Sequence, residues 1–303
     1  MSQQEYIEAL HGLIDGSVEK FNTNIPEIQK QIAMKISLLI KDLDIDNQGN
    51  IVNNIKNVKI MGKIKAEVTA IVLNPDMKGN TGEFLAKFND VSKLQNEYFK
   101  SINKSFKPSE ILDEIRKQSI TSTAESLSEM GLNANVIQPI VDMLQQNITT
   151  GGSWQELNRM LQDSILSNEK GLGTLERYTT TLTNDSLNQF SAQYTQTIAS
   201  SLNYKWFIYT GSLIRTSRAF CEALKAKKYV HISELPQIVV GNFDEFDKEG
   251  NMNQKTGLPK GMVDGTNAKN FYVYRGGYNC GHQLTPTDEV NIPQNLREQF
   301  KFK

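Results

Sequence analysis

From Ile7 to Leu43 the chain places an apolar residue every three or four positions: Ile7, Leu10, Ile14, Val18, Phe21, Ile25, Ile28, Ile32, Ile36, Leu39 and Leu43. Steps of that size bring side chains back to one side of a 3.6-residue turn, so they form a single stripe along a helix, close to a heptad seam. Pro26 lacks the amide that a helix interior requires, which predicts a kink or a restart with Asn24 as the new N-cap. "DIDNQGN" (Asp44–Asn50) predicts a turn. The stripe resumes at Ile51, Ile55, Val58, Met61, Ile64, Val68 and Ile71, so the two segments pair as a helical hairpin. Asp42, Asp44 and Asp46 alternate as in an EF-hand loop. The position that needs glycine holds Asn47, however, and the one that needs a bidentate glutamate holds Asn53, which leaves a plain turn.

Further helices are expected beyond "NPDMKGNTG" (Asn74–Gly82), carrying Phe84, Phe88, Val91, Leu94 and Tyr98, and from "KPSE" (Lys107–Glu110), where Pro108 suits a first turn and Glu110 the positive end of the dipole. "TTGGSWQEL" (Thr149–Leu157) reads as the clearest boundary. Two glycines end one element there, and Ser153 with Glu156 forms a capping box for the next. Trp154, Leu157, Leu161 and Ile165 make its stripe, and a polar helix follows through Leu187, Phe190, Tyr194 and Ile198.

The period changes at Tyr204. "YKWFIYTG" (Tyr204–Gly211) and "FYVYRGG" (Phe271–Gly277) are aromatic and β-branched and read as strands. Between them lie a helix-like segment, Ser217–Ala226, and a long loop from Gly241 to Lys269. The expected fold is mainly α with a small α+β C-terminal module. Residues 1–148 form a helical N-terminal region, helices occupy 149–203, and the module spans 204–303. The N-terminal stripes suit either a self-contained bundle or burial against a partner.

Composition excludes several classes of function. The chain has 33 basic and 34 acidic residues and a net charge of −1, so no overall basic field points to nucleic acid, and such a role would need a local patch. Arg215, Arg218 and Arg275, with Lys225, Lys227 and Lys228, could form one, although a solvated basic face is the plainer reading. "MSQQEYIEALHG" has neither the basic n-region nor the apolar core of a secretory leader. The longest aliphatic stretches, such as Ile36–Ile40, are too short to span a membrane. Two cysteines make no disulfide framework. A soluble intracellular protein is expected.

Both cysteines, Cys221 and Cys280, and two of the three histidines, His231 and His282, fall in the C-terminal module. Residues i and i+2 of an extended segment share a face, so Cys280 and His282 can reach one point. Thiolate and imidazole are standard zinc donors, and Cys221, His231, Cys280 and His282 would complete a tetrahedral set. Such a site would staple a module with little core of its own. Simple packing is the alternative, since free cysteine behaves as a small buried hydrophobe. A catalytic Cys–His pair would need a third, orienting group, and no protease signature surrounds either cysteine.

"YTGSLIRTSRAFCEALKAKKY" (Tyr209–Tyr229), followed by "FYVYRGGYNCGHQLTP" (Phe271–Pro286), resembles the C-terminal part of phage Mu F-like minor head proteins, also called phage head morphogenesis proteins. The likeness covers roughly Thr149–Pro286. Arg218 takes the family's motif arginine and Leu224 its leucine, and Cys221 stands where many members have histidine. Cys280 takes the first terminal cysteine, Gly281 replaces an arginine, and His282 replaces the second cysteine. Gly276, Gly277 and Asn279 belong to the same terminal segment. One exchange puts cysteine for histidine and the other histidine for cysteine, which preserves zinc donors. The resemblance implies a non-enzymatic structural protein of the virion. It would be made in the host cytoplasm and placed in the phage head near the portal, with the portal or major capsid protein as partner, phage DNA close by, and an oligomer around the portal. The rival expectations are a metal- or cysteine-dependent hydrolase (a maturation protease or nuclease) and an internal protein ejected with the genome.

Overall fold

Where Pro26 removes an amide, the long stripe divides into two helices, α1 (Gln3–Asn22) and α2 (Ile25–Leu39). Asn24 holds the N-cap position of α2, but its backbone is helical and its side chain makes no capping bond. A computed structural model describes residues 1–169 and 171–300. They fall into two compact units: Met1–Gly16 with Lys87–Ile120 and Asn184–Lys303, and Ser17–Ala86 with Thr121–Thr183.

The second of these is helical. α2 packs on α3 (Ile55–Val72) and on α8 (Trp154–Ile165), and α7 (Gln138–Thr150), which comes after the one-turn α6 (Glu129–Leu132), packs on both α3 and α8. The predicted hairpin is therefore half of a four-helix arrangement. Its core takes Ile28, Ile32, Ile36 and Leu39 from α2, Ile64 and Val68 from α3, Leu144 and Ile148 from α7, and Leu157 and Leu161 from α8. Ile55 and Val58 lie outside the stripe expected for α3, at 71% and 42% exposed, because Asn57 takes the inward position. Its side chain accepts the Asp44 N–H at 2.8 Å and donates to the carbonyls of Asp44 (2.9 Å) and Val52 (2.7 Å). The preceding loop is the plain turn its residues imply: Asp46 Oδ1 accepts from the amides of Gln48 and Asn50 at 2.8 Å each, an Asx-type closure.

The glycine pair read as a domain boundary is a helix end inside this unit. Gly151 caps α7 at φ +66°, and Gly152 accepts from Ile51 N at 2.9 Å, so the two loops pair with each other. The units accordingly do not divide at 148/149. Ser153 caps α8, while the Glu156 carboxylate pairs with Arg159 instead of reaching back, so only half of the capping box forms. α5 (Glu110–Ser126) starts two residues after Pro108, which lies outside it.

The other unit takes residues from α1, α4 (Pro75–Ile102), α5 and α9 (Thr174–Ser201). Tyr6 stacks on Tyr98 with centroids 3.9 Å apart, and Phe88 meets Phe190 at 5.0 Å. Gln95, wholly buried, donates to Thr195 Oγ1 at 2.7 Å and to the Ser191 carbonyl at 2.9 Å. These buried hydroxyls explain why α9 looks polar in sequence.

The C-terminal module completes this unit with β1 (Trp206–Thr210), α10 (Ala219–Lys227), β2 (Tyr229–His231), α11 (Leu235–Val239), α12 (Phe271–Tyr274) and β3 (Gln283–Thr287), followed by α13 (Gln294–Phe300). The sheet is antiparallel with order β2-β1-β3: Phe207 pairs with Val230 on one side and Pro286 on the other, and Tyr209 with Leu284. Phe207, Phe220, Leu224, Ile238, Phe271 and Leu284 form the module's core. The strand expected at Phe271–Gly277 is instead a helical turn, and consecutive Phe271 and Tyr272 are both buried, whereas a strand would send them to opposite faces. The strand lies further on, at "QLTPT". Its edge position tolerates Pro286, the residue that hides it in sequence. Among the described residues no helix is long and apolar enough to cross a membrane.

Candidate metal centre

α10 starts at Ala219 and turns its third residue, Cys221, inward beside Phe220 and Leu224. Opposite it, the chain between α12 and β3 makes a tight reversal in which Arg275 (φ +37°), Gly277 (φ +98°) and Asn279 (φ +57°) all adopt left-handed backbone. Asn279 donates its amide to Asp185 Oδ1 at 2.6 Å, which fixes the outer side of the reversal. On the inner side the Arg275 guanidinium, 1% exposed, donates to the Tyr272 carbonyl at 2.8 Å. The reversal delivers Cys280 and His282 to the sulfur of Cys221.

The donor atoms of Cys221, Cys280 and His282 all lie within 4.8 Å of one another, and all three residues are buried. Cys280 Sγ is 3.7 Å from His282 Nδ1 and 3.9 Å from the Tyr209 hydroxyl. The His282 ring stacks on Tyr209 at 5.0 Å and 10°. Its Nε2 is buried without a hydrogen-bond partner, so the ring's placement is set by Nδ1 and the stack. Gly276 closes the far side: a Cβ there would stand 2.3 Å from Cys221 Sγ and 3.0 Å from Cys280 Sγ. Only a glycine lets the backbone come this near both sulfurs.

The two thiols titrate as a pair. Cys280 is held well below the usual thiol range, first by the hydrogen bond from Cys221, then by His282 and the Arg275 charge acting against burial. Cys221 is pushed up by the same bond, by burial and by its anionic neighbour. Burial, followed by the two sulfurs, also raises the Tyr209 hydroxyl well above its ordinary value. The three buried donors form a group that could hold a metal ion.

His231 does not join it. In β2 it pairs with Trp206, whereas His282 lies opposite Gly211, one residue beyond the β1 end; five residues of strand, about 16 Å, separate the two positions. The His231 ring packs on Trp206 and Phe300, and its Nδ1 lies 2.8 Å from Ser233 Oγ. Its job is to cap the following turn, so the four-donor set becomes three. Of the motif residues, Arg218 reaches the Tyr278 carbonyl at 2.7 Å, Leu224 is core, and Gly277 passes so near Gly261 that a Cβ would meet its carbonyl oxygen at 1.8 Å. The basic patch disperses: Arg275 is buried and Lys227 pairs with Glu234 at 2.9 Å. Tyr209 was visible in sequence only as a strand aromatic, and no local pattern marks it as a neighbour of the sulfurs. The chain matches no family model, no curated protein and no solved structure.

Proposed function

We propose that this chain is a structural minor head protein of a tailed phage, whose C-terminal module is held closed by zinc bound to Cys221, Cys280 and His282. The observation that carries the reading is the meeting of Cys221 with the 280–282 segment. These are the positions through which the sequence resembles Mu F-like minor head proteins, and residues about sixty apart in the chain share one buried centre. Tetrahedral zinc with bonds of about 2.3 Å to sulfur and 2.0 Å to nitrogen sets its S and N donors about 3.5 Å apart. The 3.7 Å between Cys280 Sγ and His282 Nδ1 fits that spacing. Two thiolates and an imidazole would supply three of zinc's four ligands, and the Tyr209 hydroxyl lies 3.9 Å from Cys280 Sγ. A catalytic zinc keeps its last position open to substrate. Here Cys221, Cys280 and His282 are 2%, 5% and 6% exposed, which favours a staple over a hydrolase. In the assembled particle the protein would sit by the portal or major capsid protein.

Two measurements test the reading separately. Metal analysis of the purified chain should find zinc, lost on Cys280→Ser; a metal-free unmutated protein overturns the staple. Cryo-EM of particles containing the chain should place its density at the portal vertex, and density dispersed through the packaged genome would assign it to the ejected proteins instead.

A further inference from the structure

The chain has two cysteines, about sixty residues apart in sequence, and the fold brings them into direct contact: the Cys221 thiol hydrogen-bonds the Cys280 sulfur. Each is held by an element of its own. Cys221 lies in the first turn of α10, whose N-cap residue is Arg218, and Cys280 ends the reversal after α12, where its amide donates to the Gly277 carbonyl at 3.2 Å. Arg218 Nη2 donates to the Tyr278 carbonyl at 2.7 Å. That bond, three residues before one cysteine and two before the other, ties the two segments together where the sulfurs meet. Gly276, with no Cβ to stand against either sulfur, leaves the space beside both of them clear.

A disulfide needs its sulfurs about 2.0 Å apart. The donor atoms of the centre all lie within 4.8 Å of one another, so the remaining approach can be shared between rotations of two side chains, and neither segment has to unfold. An unfolded chain must first close a loop of about sixty residues, at a cost in entropy that the folded module has already met. The fold therefore favours joining this pair, and with no third cysteine in the chain there is no internal competitor. Burial of both sulfurs slows a dissolved reagent but does not set the end point of the exchange. The approach to α10 is open: residues 212–216 are exposed, and fraying of the helix's first turn brings Cys221 within reach of solvent.

We propose that Cys221 and Cys280 are a reversible thiol–disulfide couple, which locks α10 to the 275–282 reversal when it is oxidised by a small disulfide such as oxidised glutathione. One protein thiolate attacks that disulfide and releases a glutathione thiolate. The other protein sulfur then attacks the mixed disulfide and releases the second. Two protein thiols and one glutathione disulfide become one protein disulfide and two glutathione thiols. The couple rests neither on zinc nor on the virion reading, and it fails separately from them. Zinc in a chain whose thiols never join keeps the staple and sinks the couple, whereas a disulfide in a chain that takes no zinc does the reverse. The test is to equilibrate the full chain, freed of metal by chelation, in graded mixtures of reduced and oxidised glutathione. Alkylation then traps the thiols, and intact mass and peptide mapping read them. Both thiols should disappear in one step, with the chain still monomeric, and dithiothreitol should restore them. The folded chain should reach half oxidation in a mixture at least about tenfold more reducing than the same chain needs when unfolded in urea. If folded and unfolded chains share one midpoint, or if the product is a cross-linked dimer or a pair of glutathione adducts, the proposal fails.

Discussion

Ile36 in the helical unit and Gly276 in the C-terminal module are both buried, but for opposite reasons. Ile36 is one of many interchangeable apolar residues along four packed helices, each contributing area and none unique. Gly276 is where it is because nothing larger fits against two sulfurs. The helical unit spreads its stability over a long stripe, where losing one methylene costs only that methylene and its cavity. The module has a short three-stranded sheet and a long loop, so its shape hangs on a few positions: the glycines, the Cys221–Cys280–His282 centre and buried Arg275. Periodic sequence makes a tolerant structure, and isolated special residues make a brittle one.

The largest effect that can break this comparison belongs to Gly277→Ala. Alanine at φ +98° is strained by about 1–3 kcal/mol. Its Cβ would also meet the Gly261 carbonyl oxygen at 1.8 Å, and backbone there has to move at a further ~1–3 kcal/mol. We expect a loss of about 4 kcal/mol. The two tryptophans locate it: Trp206 lies in β1, in the module's unit, and Trp154 in α8, in the other. Urea unfolding of Trp154→Phe and Trp206→Phe backgrounds should show the loss through Trp206 and leave the Trp154 transition nearly in place. Equal losses through both probes would mean that the module is no more dependent on single residues than the bundle.

Removing metal comes next. If zinc is present at a hundred times its dissociation constant it adds about 2.7 kcal/mol to whatever folds around it. Chelation should therefore lower the Trp206 transition by that order, and Cys280→Ser should make the protein insensitive to chelator. An unchanged transition in the unmutated chain would leave the cysteines as packing.

The same division governs how far the sequence could be read. In α2 five of the buried residues, Ile25, Ile28, Ile32, Ile36 and Leu39, belong to the apolar stripe and only Gln29 and Ala33 lie beside it, so the helix and most of its buried face were legible before any coordinates. In α3 the stripe misled at Ile55 and Val58, because a polar side chain, Asn57, is the one that turns inward, and its partners are carbonyls thirteen and five residues away. The candidate centre was legible as donor types and as the pairing of Cys280 with His282, which are neighbours in sequence. Bringing Cys221 to them depends on a reversal of three left-handed residues, two of which are not glycine, and no periodicity encodes that. His231 carries the right chemistry in the wrong place; only strand register separates it from His282. Arg275 looked like surface charge, since a guanidinium whose terminal nitrogens bond to carbonyls leaves no trace in composition.

A smaller effect sharpens the contrast from the tolerant side. Ile36→Val removes one methylene from a wholly buried position in α2, and should cost about 1 kcal/mol through the Trp154 probe. A loss above about 3 kcal/mol would show that the stripe is as intolerant as the glycine reversal.

The last test uses pH and returns to the reversal. Asp185 accepts the Asn279 amide, yet burial outweighs that bond and lifts its carboxyl from 3.8 to about 6. A folded state with the higher value keeps a proton that the unfolded chain releases between about pH 4 and 6, so stability contributed by this group falls as pH rises through that window and levels off above it. Because the carboxylate is partly solvent-facing, screening reduces the effect to about 1 kcal/mol. Asp185→Asn keeps an oxygen for the Asn279 amide and removes the ionisation. In metal-free protein, where zinc ligands do not compete for protons, the variant should unfold a few degrees higher than the parent at pH 7 and at nearly the parent's temperature at pH 4. A variant less stable than the parent at pH 7 would show that the Asp185 charge supports the reversal through Arg275, and that the module's dependence on single residues extends to an ion pair.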